Sequence, residues 1–122
     1  IIIVLLSVLC GCKKSEYKNF GSNFEEYYFD TVDGIDISNL QDSLESLQDE
    51  SKKENIIEMK NLLHNIKGNI PQSKQDQYQM YQKWYDELIE LNEYYKKRDS
   101  LTVEDRRRIM VLITSIHMRA NE

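Results

Sequence analysis

The chain has 122 residues, a formal net charge of −5, 40% hydrophobic and 30% charged residues, one Pro and two Cys. That length holds one domain of ordinary size and not two, and an acidic chain without a known nucleic-acid module argues against a nucleic-acid partner. The two cysteines, Cys10 and Cys12, flank a single glycine, which excludes a disulfide framework and a cysteine zinc site.

Ile1 to Leu9 is an uncharged apolar run. A membrane-spanning helix needs about twenty such residues, so the run matches the apolar core of a secretory signal instead. No Met and no basic residue precede it, so the first residue given is expected to lie a few positions inside a precursor. Leu9-Cys10-Gly11-Cys12 follows and resembles the lipobox of bacterial lipoproteins, with Leu at −3, a small residue at −1 and Cys at +1. The competing frame, Ser7-Val8-Leu9-Cys10, would place a bulky Leu at −1. The resemblance covers only the leader. It implies cleavage after Gly11, lipid on the Cys12 thiol, acyl chains such as palmitate, and a membrane-anchored place in the cell envelope facing the periplasm or the exterior. Lys13, Lys14 and Lys18 follow, either as part of a solvated linker or against anionic headgroups, which attract each by up to about 1 kcal/mol. On this reading residues 1–11 are a signal peptide, 12–21 a lipid-anchored tether and 22–122 a helical domain.

Four pairs in the domain have capping-box spacing: Ser22/Glu25, Ser38/Gln41, Ser73/Asp76 and Thr102/Asp105. In such a box a hydroxyl accepts from one orphan N–H of the first turn, and the side chain three residues on accepts from another. The first pair opens a short aromatic helix, Asn23 to about Asp30, with Phe24, Tyr27 and Tyr28 at helical spacing. So short a helix is unstable alone and needs a packing partner. The second pair opens helix A, Asn39 to Lys67, whose stripe is Leu40, Leu44, Leu47, then Ile56, Met59, Leu63 and Ile66. Gln48 to Asn55 interrupts the stripe, which predicts a bend near 50–54 or a solvent-facing middle. Gly68 and Pro71 end helix A. Helix B, Lys74 to Arg98, carries Tyr78, Tyr81, Trp84, Tyr85, Leu88, Leu91 and Tyr95 on one face. Helix C, Val103 to Ala120, presents Ile109, Met110, Ile113, Ile116 and His117. Short connections make successive helices antiparallel. The expected fold is all-α, a small up-down-up three-helix bundle with a short extra N-terminal helix.

Charge is unevenly placed. Residues 22–58 hold eleven acids and two lysines, a net of −9, and residues 96–119 hold seven bases and three acids, a net of +4. The basic clusters are Lys96-Lys97-Arg98 and Arg106-Arg107-Arg108. Antiparallel topology puts the B–C turn at the end where helix A begins, so these clusters are expected to face Asp42, Glu45 and Asp49. Contact with headgroups or a partner protein is the other use of such a cluster.

No constellation for catalysis stands out. His64 and His117 have no His or Cys at i+3 or i+4, so both are read as structural, and neither a metal nor a cofactor is expected. Acid pairs such as Glu90/Glu93 fall on the expected solvent face of helix B. The aromatic face of helix B is read as core, with Tyr78, Tyr81, Trp84 and Tyr85 as an interaction surface if part of it is uncovered. These features favour a non-enzymatic protein-binding or structural lipoprotein acting on another envelope protein; immunity, surface exclusion and scaffolding all fit. A helical periplasmic chaperone-like or stress-sensing protein is the alternative. Leu101-Thr102-Val103-Glu104-Asp105 resembles the L-T-x-x-Q motif of helical periplasmic chaperones, with Asp105 in place of the Gln and one copy where the family has two.

Overall fold

The computed structural model describes residues 19–120, and within them the protein is all-α. Helix α1 covers 19–32, and α2 (Leu40–Ser46), α3 (Glu50–Ile66), α4 (Gln75–Glu93) and α5 (Val103–Ala120) follow. Single 3-10 turns, Gln72–Lys74 and Tyr94–Lys97, flank α4. Helix A of the sequence reading is α2 plus α3; helices B and C are α4 and α5.

The extra N-terminal helix is longer and more central than expected. Phe20, Phe24 and Tyr28 recur every four residues, one face of a helix, and are 3%, 0% and 0% exposed. Residues 19–21, which fall in the stretch 12–21 expected as tether, are helical, and Phe20 belongs to the core. Nor does Ser22 cap a helix. It sits inside α1, where its hydroxyl donates back to the Asn19 carbonyl at 3.2 Å. Thr31, fully buried, likewise satisfies its hydroxyl on the Tyr27 carbonyl at 2.6 Å.

Helix A breaks rather than bends. Asp49 accepts from the Ser51 N–H at 2.9 Å and from its hydroxyl at 2.7 Å, which starts a new helix three residues after α2 ends. This is where the apolar stripe slips phase. The cap of α2 is Asn39 and not Ser38: its side-chain oxygen accepts from the Asp42 N–H at 3.0 Å, while its amide donates to the Asp42 carboxylate at 2.6 Å. Before α2, Ser43 holds the preceding loop by bonding both the N–H and the carbonyl of Asp36, each at 2.8 Å. Gly34 in that loop has φ +91°, a left-handed conformation that side chains disfavour.

The α3–α4 connection contains Gly68 and Pro71. Gly68 does not adopt a positive φ, so it is no left-handed cap; Lys67 closes the helix. Ser73 caps nothing, because it lies within the 3-10 turn that leads into α4. The Thr102/Asp105 box at the head of α5 is complete: Asp105 N–H donates to the Thr102 hydroxyl at 3.0 Å and Thr102 N–H to the Asp105 carboxylate at 3.1 Å.

The core lies between all five helices. α3 and α4 run antiparallel, with the Tyr78 hydroxyl donating to the Leu63 carbonyl at one end and Gln48 to Asn92 at the other. α1 lies parallel to α4: Phe20 meets Tyr78 and Tyr81, Phe24 meets Tyr81, and Tyr28 meets Trp84, with ring centroids 4.8–6.3 Å apart. Each aromatic pair adds about 0.5–1.5 kcal/mol beyond the area it buries. α5 closes the core with Ile109, Leu112, Ile113 and Ile116, all at or below 1% exposure. Met110, placed on the core face by the sequence reading, is 43% exposed, and Leu112 takes its place.

Candidate functional site

Cys12 and the lipobox lie outside the described residues. Among the described residues, no helix is long and apolar enough to cross a membrane.

The aromatic face of α4 is core. Tyr81 and Trp84 are 2% and 7% exposed, sealed by the aromatic residues of α1, so the two central members of the expected interaction surface are not accessible. Tyr78 and Tyr85 are half-buried at its margin. Burial raises the phenol pKa of both above its usual value, with Asp86 adding to the effect at Tyr85.

The basic clusters do not face α2 as ion pairs. The placement itself is as the topology demands, since the Gln41 amide of α2 donates to the Arg98 carbonyl at 3.1 Å. The charges, however, pair within the α4–α5 hairpin. Arg108 grips Glu90 with two bonds of 2.6 and 2.7 Å. Lys97 meets Asp105 at 3.1 Å, and Lys96 meets Glu93 at 2.8 Å. Arg98 lies over the Tyr95 ring at 4.0 Å. A short antiparallel connection brings residues of the two flanking helices together before anything else, and long basic side chains take the nearest carboxylate. The pairing holds Glu90 below the usual carboxylate range and raises Arg108. Asp105 is held low by the Thr102 N–H and then by Lys97. Arg106 and Arg107 are exposed and make no ion pair among the described residues.

Sequence reasoning missed the tightest polar cluster. Arg119, near the end of α5, pairs with Glu87 of α4 and donates to the Tyr28 hydroxyl of α1 at 3.1 Å, while its guanidinium lies 5.2 Å from the Trp84 ring. The Arg119 and Glu87 side chains are only 11% and 15% exposed. Burial disfavours the Arg119 charge, but the Tyr28 and Glu87 bonds outweigh it and raise its pKa; burial also raises that of Tyr28. A lone Arg in the last turn of a helix gives no sequence signal for a partner 91 positions away.

His117 bonds the Ile35 carbonyl at 2.8 Å and so fastens α5 to the α1–α2 loop. His64 is exposed. Among the described residues, no group of three or more His, Cys, Asp or Glu is arranged to hold a metal. Open grooves are found among the described residues, and two bear on function. One of about 580 Å³ is lined by Asp42, Glu45, Ser46, Gln48, Asp49 and Lys52. The other, of about 350 Å³, lies between Phe29, Val32 and Ile35 on one side and Ile116, His117 and Ala120 on the other.

No family model matches this chain, and no curated protein or solved structure does either.

Proposed function

We propose that this chain is a bacterial lipoprotein, anchored through Cys12, whose helical domain serves as a non-enzymatic binding or structural module for another protein of the cell envelope. The observation that carries the reading is Leu9-Cys10-Gly11-Cys12 placed directly after the apolar run Ile1 to Leu9. Support comes from how the domain uses its buried polar groups. His117 holds the Ile35 carbonyl, Thr31 the Tyr27 carbonyl, Ser43 the Asp36 backbone, and Arg119 both Glu87 and Tyr28. His117, Ser43 and Arg119 each join separate elements of the fold, and Thr31 is satisfied within α1.

A chaperone-like role is the second reading, favoured by the groove beside His117, whose mixed lining of Phe29, Val32, Asp33 and Ile116 could receive a side chain of an extended peptide. The Thr102/Asp105 capping box gives the chaperone-like segment a local structural task of its own.

Metabolic palmitate labelling tests the anchor. Cys12→Ala is expected to abolish labelling and release the protein from membranes, and Cys10→Ala to leave both intact; labelling that survives Cys12→Ala refutes the reading. Cross-linking in intact envelopes then discriminates the roles. A single stoichiometric partner supports the binding module, and a spread of unfolded clients supports the chaperone.

A further inference from the structure

We propose that the outward face of α5 is a docking surface for an anionic phospholipid bilayer. The α5 sequence is apolar on two faces. Ile109, Leu112, Ile113 and Ile116 fill the core, yet Val103, Met110, Val111 and Met118 are 65%, 43%, 54% and 65% exposed. Helical periodicity gathers these four on the side opposite the core, with Thr114 between them. Most solvent-facing helix surfaces are polar, and four exposed apolar residues on one face of α5 depart from that pattern.

Charge selects the occupant. Arg107 lies within the same face and Arg106 at its edge, both exposed and without an ion pair among the described residues, whereas the neighbouring Arg108 is neutralised by Glu90. Among the described residues, the exposed acid on this side is Glu104, in the first turn. A helix with apolar residues beside exposed arginines suits the boundary between headgroups and acyl chains, where the arginine stems follow the apolar layer and the guanidinium groups reach phosphates. A second copy that set this face against its own α5 would offer the arginines Glu104 alone as an exposed acid among the described residues. Protein-protein hot spots are enriched in Trp, Tyr and Arg, and α5 offers the Arg but neither aromatic residue. The proposal rests on the lipoprotein reading only for what brings the domain to a bilayer. Residues 13–18 can span about 20 Å when extended, enough slack for the domain to lie on the surface that holds it.

The test uses the full chain with Cys10 and Cys12 replaced by Ser, so that no acyl chain contributes and a failure here leaves the anchor reading untouched. An environment-sensitive fluorophore is attached through Met118→Cys. Vesicles rich in phosphatidylglycerol are expected to shift its emission to the blue, and vesicles of phosphatidylcholine alone to do so far less. Adding Arg106→Gln and Arg107→Gln, both at exposed positions, should weaken the response to anionic vesicles about tenfold or more, since each basic residue near such a surface contributes about 1 kcal/mol. The apolar leader and Lys13, Lys14 and Lys18 are the same in both chains and cancel in the comparison. No shift at Met118 on anionic vesicles overturns the proposal, as does a shift that the arginine changes leave intact. A concentration-dependent shift without vesicles overturns it in favour of a second copy.

Discussion

Replacing Arg119 by Met removes a cation from the place where α1, α4 and α5 meet, while the long apolar stem can still lie against Trp84. The loss is that of a nearly buried ion pair. Breaking a fully buried pair costs about 3–5 kcal/mol because one charge is stranded, whereas exposed pairs contribute about 0–1 kcal/mol. With 11% and 15% of the two side chains exposed, Glu87 can regain some water by small movements, so the cost falls below the fully buried range. The hydrogen bond to Tyr28 is also lost, and bonds to charged groups are worth about 1.5–3 kcal/mol. We expect a net destabilisation of about 2–3 kcal/mol for Arg119→Met. Glu87→Gln should cost about 1 kcal/mol, because the amide still offers an acceptor to the guanidinium. The double change should cost less than the sum by about 1 kcal/mol, since both remove the same interaction. Urea unfolding followed by circular dichroism measures the stabilities, and Trp84, the single tryptophan, reports the local environment by its emission. Arg119→Met within 0.5 kcal/mol of the parent would refute the reasoning, as would strict additivity of the two changes.

Phe20→Ala should destabilise the fold by about 2–4 kcal/mol in the same urea assay, because Phe20 is 3% exposed and packed on Phe24, Tyr78 and Tyr81; a cost below 0.5 kcal/mol would mean that the α1 start is not part of the core. Arg108→Glu should lower stability by about 1 kcal/mol at low salt and less at high salt, and a compensating Glu90→Arg should recover part of the loss where Asp42→Lys does not. Acid should weaken the fold. Asp36 is held low by the Ser38 N–H and hydroxyl, Asp49 by the Ser51 hydroxyl and N–H, Glu90 by Arg108, and Asp105 by the Thr102 N–H and Lys97. Folded pKa values below the unfolded ones, about 4, give stability that is present above that pH and lost as pH falls through the lowered values. Thermal melts should therefore fall progressively below about pH 4, and a melting temperature that holds steady to pH 2 would contradict these assignments.

Helical class was legible because local signals agree with one another: the stripe of helix B, the Thr102/Asp105 box and the break at Gly68 to Pro71 each depend on neighbours in sequence. Phe20 was missed because Lys, Ser, Asn and Gly surround it and resemble a tether, and a single aromatic residue carries no periodicity. The break at residues 47–49 was visible as a gap in the stripe, but not as a cap, because Asp49 caps through Ser51 and lacks the S/T-x-x-E spacing. The Arg108 partner could have been read from the short turn alone, since an antiparallel hairpin sets Glu90 beside Arg108. Block charge pointed elsewhere, because a net count ignores reach. The burial of Tyr81 and Trp84 agrees with the stripe that marked this face as core, but the Arg119–Tyr28 bond depends on α1 lying along α4, a pairing of distant segments that no local pattern encodes.

That alignment of α1 with α4 also decides how the domain bears a load. Any pull that reaches the described fold from its N-terminal side enters at Asn19 and acts first on α1. Directed along the helix axis, it loads Phe20, Phe24 and Tyr28 together against α4, as a lap joint is loaded in shear. Directed sideways, it peels the same contacts one after another, Phe20 first and the Tyr28–Arg119 bond last. A domain fastened by this helix resists being drawn out along the direction of its own first helix far better than being tilted away from it.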